Sequence, residues 1–380
     1  MKGLSELLSF CEEKVKNKMN LKDIRILHLT NVMDIGGVQK IVYQICEGTK
    51  GNLDRIVVAS AGGEYADKLQ KIGIEHITIE DLSSKSLLKI IHLKKQLSNI
   101  IIQNKINLIH CHHRMAVFYI KLWFPKVVII YNNHTIYSDK RVLSHFTLKN
   151  VNLIADGVQA KANLVNFFKL PDKNITIINN AVDEYNGEFY AISEIEKARK
   201  EGKFIVMNCS RLHPQKGVNY FIDAAEILLN KGFNIAFFIV GDGPLRNELQ
   251  LLVGDRGLAE NIIFLGFRSD VKSTIRNSDL LVQTSVYEGL PLTPMEAFSV
   301  KRAVIGTDIE GTREVIMDGY NGLLAENKNP RSIADKIEIL YKDRNKLNEY
   351  ELNAYKTFTD QFSSKIMIKK YLDFYKKVQK

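Results

Sequence analysis

KFIVMNCSRLHPQKGVNYFIDAAEILLNKG, residues 203–232, joins a short apolar run to a polar loop and then to a segment with apolar residues at helical spacing. The run at 203–210 predicts a buried strand and the segment at 218–232 predicts a helix, because each has the length and periodicity of that element. The same order of strand, loop and helix recurs along most of the chain. Such alternation is typical of a parallel sheet with helices on both faces.

The other predicted strands form two groups, separated by a charged stretch without a strand pattern. The first group lies at 23–30, 55–60, 106–112, 126–132 and 152–157, and the second lies at 203–210, 235–241, 262–267, 279–284 and 302–307. We therefore predict an α/β protein of two Rossmann-like parallel-sheet domains whose strand ends face each other across a cleft. The predicted organisation is an N-terminal extension at 1–20, a first domain at 21–184, a linker at 185–203, a second domain at 204–361 and a C-terminal helix at 362–380.

Both chain ends have an amphipathic pattern. We expect the C-terminal helix to pack back on the first domain. The N-terminal extension predicts a helix with one apolar face, formed by Leu4, Leu7, Leu8, Cys11 and Val15. This face could lie on a membrane or a partner, or belong to a plain surface helix.

The composition excludes several classes of protein. The chain has 380 residues, a formal net charge of +10 and four cysteines without a C-x-x-C pair, which argues against a disulfide framework or zinc ribbon. Its apolar runs are of strand length and its N-terminus lacks a signal-peptide core. We expect a cytoplasmic protein that can also sit at the inner, anionic face of the membrane. The basic charge is not accompanied by any nucleic-acid-binding motif, so no nucleic-acid partner is expected.

Ligands of parallel sheets bind beyond the carboxyl ends of the strands, so the loops there are the candidate sites. Gly36 and Gly37 precede an apolar helix and would let the backbone approach an anion, although a flexible turn is the alternative interpretation. Arg211 and Lys216 lie in the loop of the opening stretch. Two cations before a helix favour a site for a diphosphate. The alternative interpretation is a basic loop that is exposed to solvent. Gly241 lies in the equivalent loop after the next predicted strand, again before a helix.

The segment HCHHRM, residues 110–115, suggests a metal site, but neighbouring residues of a strand point to opposite faces, so we expect no metal. His112 and His113 are instead predicted to contact an acceptor at the end of the strand. His134 follows the next strand and is the better single candidate for a functional histidine, as a catalytic residue that also contacts the acceptor.

Two glutamates lie eight positions apart in SVYEGLPLTPMEA, residues 285–297. Thr293, Pro294 and Glu296 fit a capping box with Thr293 as the N-cap. That interpretation leaves Glu288 unexplained. A nucleotide sugar at this helix start would explain both glutamates, because carboxylate oxygens accept hydrogen bonds from sugar hydroxyls and the backbone at 292–294 would meet phosphate oxygens.

The segment EGLPLTPME resembles the E-x7-E signature of the retaining glycosyltransferases of family four, which have the GT-B architecture. The resemblance extends along nearly the whole chain, in the order of the family's motifs. The matching segments are GGVQKIV, NNAVD, SRLHPQKG, VGDGPLRNEL, FLGFRSDV and GTREVIMDGYNGLL. One departure is Ala181 in NNAVD, where the family usually has glycine.

The resemblance implies a role for each matching residue. Arg211 and Lys216 would hold the donor diphosphate and replace a divalent metal, Glu296 would bind the ribose, and Glu288 would face the transferred sugar. Gly37 would lie beside the diphosphate and His134 near the anomeric carbon. The full set of expected donor contacts is Gly36, Gly37, Arg211, Lys216, Gly241, Gly266, Arg268, Glu288, Gly289, Leu290, Pro291, Leu292, Thr293 and Glu296.

The implied activity is transfer of a sugar from a nucleotide diphosphate, with UDP as the expected carrier, to an oligosaccharide or lipid-linked acceptor for a cell-surface polysaccharide. Transfer is expected with retention, without a cofactor or metal. Two alternatives remain: a nucleotide-sugar epimerase of the same architecture, and a non-catalytic nucleotide- or anion-binding relative.

Overall fold

The computed structural model of the protein describes residues 20–378, so the predicted N-terminal helix lies outside the described residues. The chain forms two compact units. Among the described residues, the first comprises 20–180 and 364–378, and the second comprises Ala181–Ser363. Within residues 20–378, no helix is long and apolar enough to cross a bilayer.

The first unit contains a seven-stranded parallel sheet of order β3-β2-β1-β4-β5-β6-β7. Its strands are β1 (Arg25–Leu29), β2 (Arg55–Ser60), β3 (Glu75–Thr78), β4 (Leu108–Cys111), β5 (Val128–Asn133), β6 (Asn152–Ala155) and β7 (Ile175–Ile177). Its helices before the second unit are α1 (Gly37–Thr49), α2 (Glu64–Lys71), α3 (Leu87–Gln103), α4 (Arg114–Trp123), α5 (Arg141–Leu148) and α6 (Val158–Ala162).

The second unit contains a six-stranded parallel sheet of order β10-β9-β8-β11-β12-β13. Its strands are β8 (Phe204–Cys209), β9 (Ile235–Val240), β10 (Ile262–Gly266), β11 (Leu280–Gln283), β12 (Val304–Thr307) and β13 (Gly322–Ala325). Its helices are α7 (Ser193–Lys200), α8 (Val218–Asn230), α9 (Arg246–Asp255), α10 (Val271–Arg276), α11 (Leu292–Ser299), α12 (Glu310–Arg313), α13 (Pro330–Lys342) and α14 (Arg344–Thr357). The predicted fold class, two Rossmann-like parallel-sheet domains, is confirmed.

The two faces of the first sheet have different chemistry. Leu27 and Ile109 are register partners and, with Tyr131, lie in a hydrophobic core cluster on one face. On the other face, His28 is the register partner of His110. Successive residues of a strand point to opposite faces, so this second face collects the polar side chains at the strand ends.

The last helix, α15 (Ser364–Val378), belongs to the first unit and packs against α1. Gly48 permits this contact, because a Cβ there would lie 2.4 Å from Cγ1 of Ile368. Tyr371 and Tyr375 of α15 are fully buried against the polar face of the sheet, where their hydroxyls bond to Asn132 and His110.

The stretch 185–203 differs from the predicted linker, because it contains α7 and belongs to the second unit. Ile192, Ile195 and Ala198 of this stretch are buried in the core of that unit. Residues spaced by three lie on the same face of a helix, so these side chains form one apolar face. The charged residues around them make this helical pattern hard to recognise in the sequence.

Candidate active site

Two loops of the second unit are tied together at the ends of β8 and β11. The backbone N–H of Val286 donates to the carbonyl of Gln215 at 2.8 Å, and the Thr284 hydroxyl donates to the carbonyl of Lys216 at 3.0 Å. Gly217 makes this approach possible, because it has φ +56° and a Cβ there would lie 2.4 Å from the carbonyl oxygen of Thr284. The loop with Arg211 and Lys216 is thus held against the loop with Glu288.

Lys216 and Glu288 form an ion pair at this junction. The Glu288 carboxylate also accepts from the Ser285 hydroxyl at 2.7 Å and from the Gln283 amide at 3.4 Å. Its side chain is 10% exposed and that of Lys216 is 22% exposed. The pair is therefore largely shielded from water and held in one orientation, with one carboxylate oxygen carrying the hydrogen bonds.

The predicted capping box at Thr293 is wrong. Helix α11 begins at Leu292, its N-cap residue is Pro291, and no side chain caps it. Thr293 and Glu296 therefore lie within the first two turns of the helix, and Thr293 is not its N-cap. Pro294 has no N–H, so of the backbone at 292–294 only Leu292 and Thr293 offer a donor.

Thr293 and Glu296 line a cavity of about 420 Å³ in the second unit. Arg211, Gly241 and Arg268 line the same cavity, so five of the predicted donor residues converge. This volume falls within the usual range of small-molecule sites. The remaining lining residues are Cys209, Ser210, Val240, Asp242, Phe267 and Val271.

Gly241 has a structural reason to be glycine. Its φ is +132°, and a Cβ would lie 1.9 Å from the carbonyl oxygen of Ser210. Gly266 also has a positive φ, at +71°. A side chain at either position would strain or displace the backbone at the ends of β8, β9 and β10.

Glu296 influences its surroundings electrostatically. Burial, followed by the negative charge of Glu296, raises the pKa of the Cys209 thiol to about 12. Arg268 is held by Asp270 through two hydrogen bonds of 3.0 and 2.8 Å, and these bonds raise the pKa of the guanidinium and lower that of Asp270. The Arg268 side chain is thus anchored on the protein, which leaves the backbone of its loop to contact a ligand.

Sequence reasoning missed Phe267. This side chain is 76% exposed and lines the cavity, between Gly266 and Arg268. An exposed aromatic ring directly after a strand offers a flat surface on which a base can stack. The signal in the sequence was its position between two predicted donor residues.

In the first unit, Gly36 and Gly37 precede and begin α1. A Cβ at Gly37 would meet nothing within 4 Å, and one at Gly36 would meet only the flexible side chain of Gln39. The fold itself therefore does not require glycine at position 37.

A chain of histidines runs along the polar face of the first sheet. His28 Nδ1 lies 3.0 Å from His112 Nε2, and His112 Nδ1 lies 3.0 Å from His134 Nε2. The Asn132 amide lies 3.1 Å from His134 Nδ1, and its oxygen accepts from the Tyr371 hydroxyl at 2.9 Å. The partly exposed His134 is thus the outer end of a hydrogen-bonded series that reaches helix α15.

These histidines are neutral at ordinary pH. Burial lowers the pKa of His28 to about 3 and that of His134 to about 4, and it holds the pKa of His112 well below the usual range. His112 is buried and both of its ring nitrogens are occupied by other imidazoles. Its position fits support of His134 rather than the predicted contact with an acceptor.

The expectation that the histidines of 110–115 cannot converge needs correction. His110 and His112 are two positions apart and share a face with His28 from the neighbouring strand. One ring nitrogen from each of these three side chains lies within 4.8 Å of the others. His113 is separate and lines a different cavity.

Ala181, the departure from the family's motif, is buried and is absent from the non-glycine residues of positive φ in the described part of the chain. Alanine therefore fits this position without strain.

Comparisons with known proteins agree with this architecture. The profile of the family described as "Glycosyltransferase Family 4" matches residues 35–185, and that of "Glycosyl transferases group 1" matches residues 191–357. The matched segments together span most of both units. The chain belongs to the group 1, family 4 glycosyltransferases of GT-B architecture.

Individual relatives are more distant. The chain is 28% identical to the poly(ribitol-phosphate) alpha-N-acetylglucosaminyltransferase of Staphylococcus aureus, over 65% of this chain and 50% of the relative. It is 29% identical to the UDP-Gal:alpha-D-GlcNAc-diphosphoundecaprenol alpha-1,3-galactosyltransferase of Escherichia coli, over 46% of each chain. The matches thus span about half the length of these relatives.

A solved structure matches almost completely. HepE of Anabaena in complex with UDP has a TM-score of 0.81 and 19% identity, with 93% of this chain and 100% of that chain covered. At this identity the likeness establishes the fold.

Proposed function

We propose that the protein transfers a sugar from a UDP-sugar to an oligosaccharide or lipid-linked acceptor in the synthesis of a cell-surface polysaccharide, with retention of configuration. The observation that carries this proposal is the convergence of Arg211, Thr293, Glu296 and Phe267 on one cavity at the carboxyl ends of the second sheet. A cation, a helix start, a carboxylate and an aromatic ring are the groups that a nucleoside diphosphate requires.

Each group has a proposed task. Arg211 and the start of α11 bind the diphosphate, Glu296 accepts the ribose hydroxyls, and Phe267 with the backbone at 266–268 holds the base. Lys216 stabilises the negative charge that develops on the leaving diphosphate, and Glu288 binds hydroxyls of the sugar. The ion pair between them keeps both side chains oriented before the donor arrives.

Gly36, Gly37 and His134 of the first unit are proposed to contact the diphosphate and the reacting sugar. Because its pKa is depressed to about 4, His134 is a neutral hydrogen-bonding group and not a cation at working pH. Reaction without a protein nucleophile, in which the acceptor attacks on the face of the departing phosphate, agrees with these assignments. A divalent metal is not needed when Arg211 and Lys216 neutralise the leaving group.

The acceptor assignment draws on the relatives. The galactosyltransferase of Escherichia coli acts, by its name, on a sugar linked to diphosphoundecaprenol. A lipid-linked acceptor of this type would place the protein at the inner face of the membrane, where its net charge of +10 favours an anionic surface.

The first experiment is thermal unfolding with UDP, GDP, ADP, CMP and dTDP, each with and without a chelator. A ligand present at a hundred times its Kd stabilises the folded state by about 2.7 kcal/mol. We expect UDP to raise the Tm, with no effect of the chelator, and Arg211→Ala to abolish the shift. Arg331→Ala, at an exposed site outside the cavity, is the matched control and should keep it.

Metal content is measured on the same sample, because His28, His110 and His112 are close enough to share an ion. A shift that requires metal, or an unchanged UDP shift in Arg211→Ala, would contradict the proposed site. Sugar epimerisation without acceptor-dependent release of UDP would contradict the proposed reaction.

A further inference from the structure

Three buried histidines of the first unit take no direct part in the proposed sugar transfer. His28 lies on β1, its register partner His110 lies on β4, and His112 follows β4 on the same face of the sheet. His28 and His110 are fully buried and His112 is 6% exposed. None of the three lines the cavity that is proposed to bind the donor. The donor site therefore does not account for this group of side chains, which we call the histidine cluster.

Hydrogen bonding leaves the histidine cluster incomplete. Within the described residues, Nε2 of His28 and Nε2 of His110 are buried without a hydrogen-bond partner. Their Nδ1 atoms are occupied, because Nδ1 of His28 lies 3.0 Å from Nε2 of His112 and Nδ1 of His110 lies 3.0 Å from the hydroxyl of Tyr375. Buried polar atoms normally have a partner, since burying one without a hydrogen bond costs free energy. Two such nitrogens in one cluster indicate that a further atom binds there.

The spacing of the ring nitrogens suits a metal ion. One nitrogen from each of the three side chains lies within 4.8 Å of the other two. Two nitrogens bound at about 2.0–2.1 Å to a tetrahedral ion are about 3.3–3.4 Å apart. The 3.0 Å separation of His28 Nδ1 and His112 Nε2 is already close to this value. The most separated pair would have to approach by about 1.5 Å at most, which is a shift on the scale of a side-chain rotation.

The outer nitrogens of two of these histidines face groups that can accept a hydrogen bond. If Nε2 of His110 binds a metal ion, its Nδ1 keeps the hydrogen and donates it to the Tyr375 hydroxyl. Nδ1 of His112 likewise faces Nε2 of His134 at 3.0 Å. Metal-bound histidines usually donate their second N–H to such a partner, which fixes the tautomer and the orientation of the ring. The histidine cluster therefore has the ligands of a metal site and their outer hydrogen-bond partners.

The ligand set indicates which ion would bind. Three imidazole nitrogens suit Zn²⁺ and its neighbours among the transition metals, whereas Mg²⁺ and Ca²⁺ prefer oxygen ligands. An ion can reach the cluster from the side of His112, because His112 is slightly exposed and its partner His134 is half-buried.

We propose that His28, His110 and His112 bind a zinc ion, with water as its fourth ligand. The ion joins β1 to β4 and, through the hydrogen bond of His110 to Tyr375, fastens helix α15 to the polar face of the first sheet. Its ligands share no residue with the donor cavity, so the ion takes no part in the proposed sugar transfer and leaves that transfer independent of metal.

The test uses the whole chain, purified without a polyhistidine tag and freed of metal with a chelator. Zinc binding is measured by competition with a chromophoric chelator, and Co²⁺ binding is followed by visible absorption. His28→Gln and His110→Gln each remove one ligand. His76→Gln is the matched control, because His76 is a half-buried histidine of the same sheet that bonds to Ser60 at 2.8 Å, outside the histidine cluster. Thermal unfolding of every form is measured with and without UDP.

We expect one zinc ion per chain, the absorption bands of a four-coordinate cobalt ion with nitrogen ligands, and a loss of zinc affinity of about 100-fold or more in His28→Gln and in His110→Gln. His76→Gln should bind zinc as the wild type does. Zinc should raise the Tm of the wild type and of this control, and it should not raise the Tm of the two ligand variants. The further rise in Tm on addition of UDP should be the same with and without zinc.

A folded, metal-free wild type that does not bind zinc would overturn the proposal, and so would a ligand variant that binds zinc as tightly as the wild type. If both ligand variants fail to fold, the cobalt spectrum of the wild type decides: bands of a six-coordinate ion would assign the metal to a surface site and overturn the proposal. A UDP shift that requires zinc would contradict the separation of this site from sugar transfer. Absence of any UDP shift in the zinc-loaded protein would refute the proposed function and leave the zinc site standing.

Discussion

A position can need glycine because a ligand approaches the backbone there or because the fold has no room for a side chain. Substitutions of Gly37 and Gly241 distinguish these two reasons. We predict that Gly37→Ala leaves the Tm unchanged, because its Cβ would meet nothing within 4 Å, and that it lowers kcat/KM for the donor at least tenfold by keeping the diphosphate away from the backbone. Gly241→Ala should instead destabilise the protein by about 1–3 kcal/mol or more, because alanine at φ +132° would also meet the carbonyl of Ser210. Calorimetry and donor kinetics on both variants test this. A destabilised Gly37→Ala, or an inactive and equally stable Gly241→Ala, would reverse the assignment.

A substitution in the ion pair of Lys216 and Glu288 shows whether this pair contributes to the stability of the fold or to catalysis. Glu288→Gln keeps the side-chain shape but removes the charge beside Lys216, so we expect kcat to fall about 100-fold. Because the pair is largely shielded from water and the change leaves Lys216 without its carboxylate partner, we also expect a loss of stability of about 1–3 kcal/mol. Glu338→Gln, in the exposed pair with Lys231, is the control and should alter neither quantity. A normal kcat in Glu288→Gln would make this pair a structural one.

At the scale of elements, helix α11 was predicted to start two residues too late. The pattern of Thr293, Pro294 and Glu296 satisfies the rule for a capping box, but Pro291 already fixes the backbone that leads into the helix. Local sequence identifies a helix start within a residue or two. It does not tell whether a polar side chain near that start bonds to the backbone or faces a ligand.

This difference gives a prediction for Thr293. Because Thr293 does not cap α11, Thr293→Ala should leave the free energy of unfolding unchanged and weaken UDP binding. Asn329 is a true N-cap in α13 and accepts from the N–H of Ser332 at 3.1 Å, so Asn329→Ala should cost about 1 kcal/mol and leave UDP binding intact. Urea unfolding with and without UDP measures both effects. An equal loss of stability in the two variants would restore the capping box.

The three strands that were not predicted from the sequence all lie at an edge of their sheet. β3, β7 and β13 are all edge strands, and each has only three or four residues. A central strand such as β9 is buried along its whole length and reads as a continuous apolar run, IAFFIV. An edge strand is partly exposed and short, so its apolar pattern is weak. All inner strands were therefore predicted, whereas β10 was the one edge strand of the two sheets that the sequence revealed.

Helix α15 supports the histidine chain, and its two buried tyrosines can be compared directly. Tyr371 bonds to Asn132, which contacts His134, whereas Tyr375 bonds to His110, which is outside that series of bonds. Removal of either hydroxyl leaves a buried polar atom unpaired and should cost about 1–3 kcal/mol. We predict that Tyr371→Phe also lowers kcat severalfold with little change in KM, and that Tyr375→Phe does not. Equal kcat values in two variants of similar stability would show that α15 only fills space.

At the scale of the molecule, the order of strands and helices was enough to predict two parallel sheets. The boundary of the second unit was predicted too late, because the charged stretch 185–203 contains α7, which packs into that unit. The convergence of Arg211, Thr293 and Glu296 could be expected from the ends of the strands. The series from His28 to Tyr371 could not, because it depends on which face of the sheet the last helix covers. A contact between residues so distant in the chain leaves no periodic pattern in the sequence.

The buried histidines predict which part of the molecule unfolds first in acid. Of the nine histidines, the second unit contains only His213, and His28, His110, His112 and His134 are buried or hydrogen-bonded inside the first unit. The folded-state pKa of His28 is about 3 and that of His134 about 4, both below the unfolded value of 6.5. Below pH 6.5 the unfolded chain therefore binds more protons than the folded one, and stability falls as the pH falls. Each such histidine contributes a loss on the order of 1 kcal/mol per pH unit between pH 6.5 and its folded pKa.

Hydrogen exchange at pH 7.5 and 5.5, corrected for the intrinsic pH dependence of exchange, measures this effect segment by segment. We expect residues 20–180 to lose protection at pH 5.5 while residues 181–363 keep it. Helix α15 should exchange with the first unit although it follows the second in the chain, because Tyr371 and Tyr375 bond to that unit's polar face. Earlier loss of protection in the second unit, or exchange of α15 with its sequence neighbours in α14, would show that the histidine chain does not set the acid stability of the molecule.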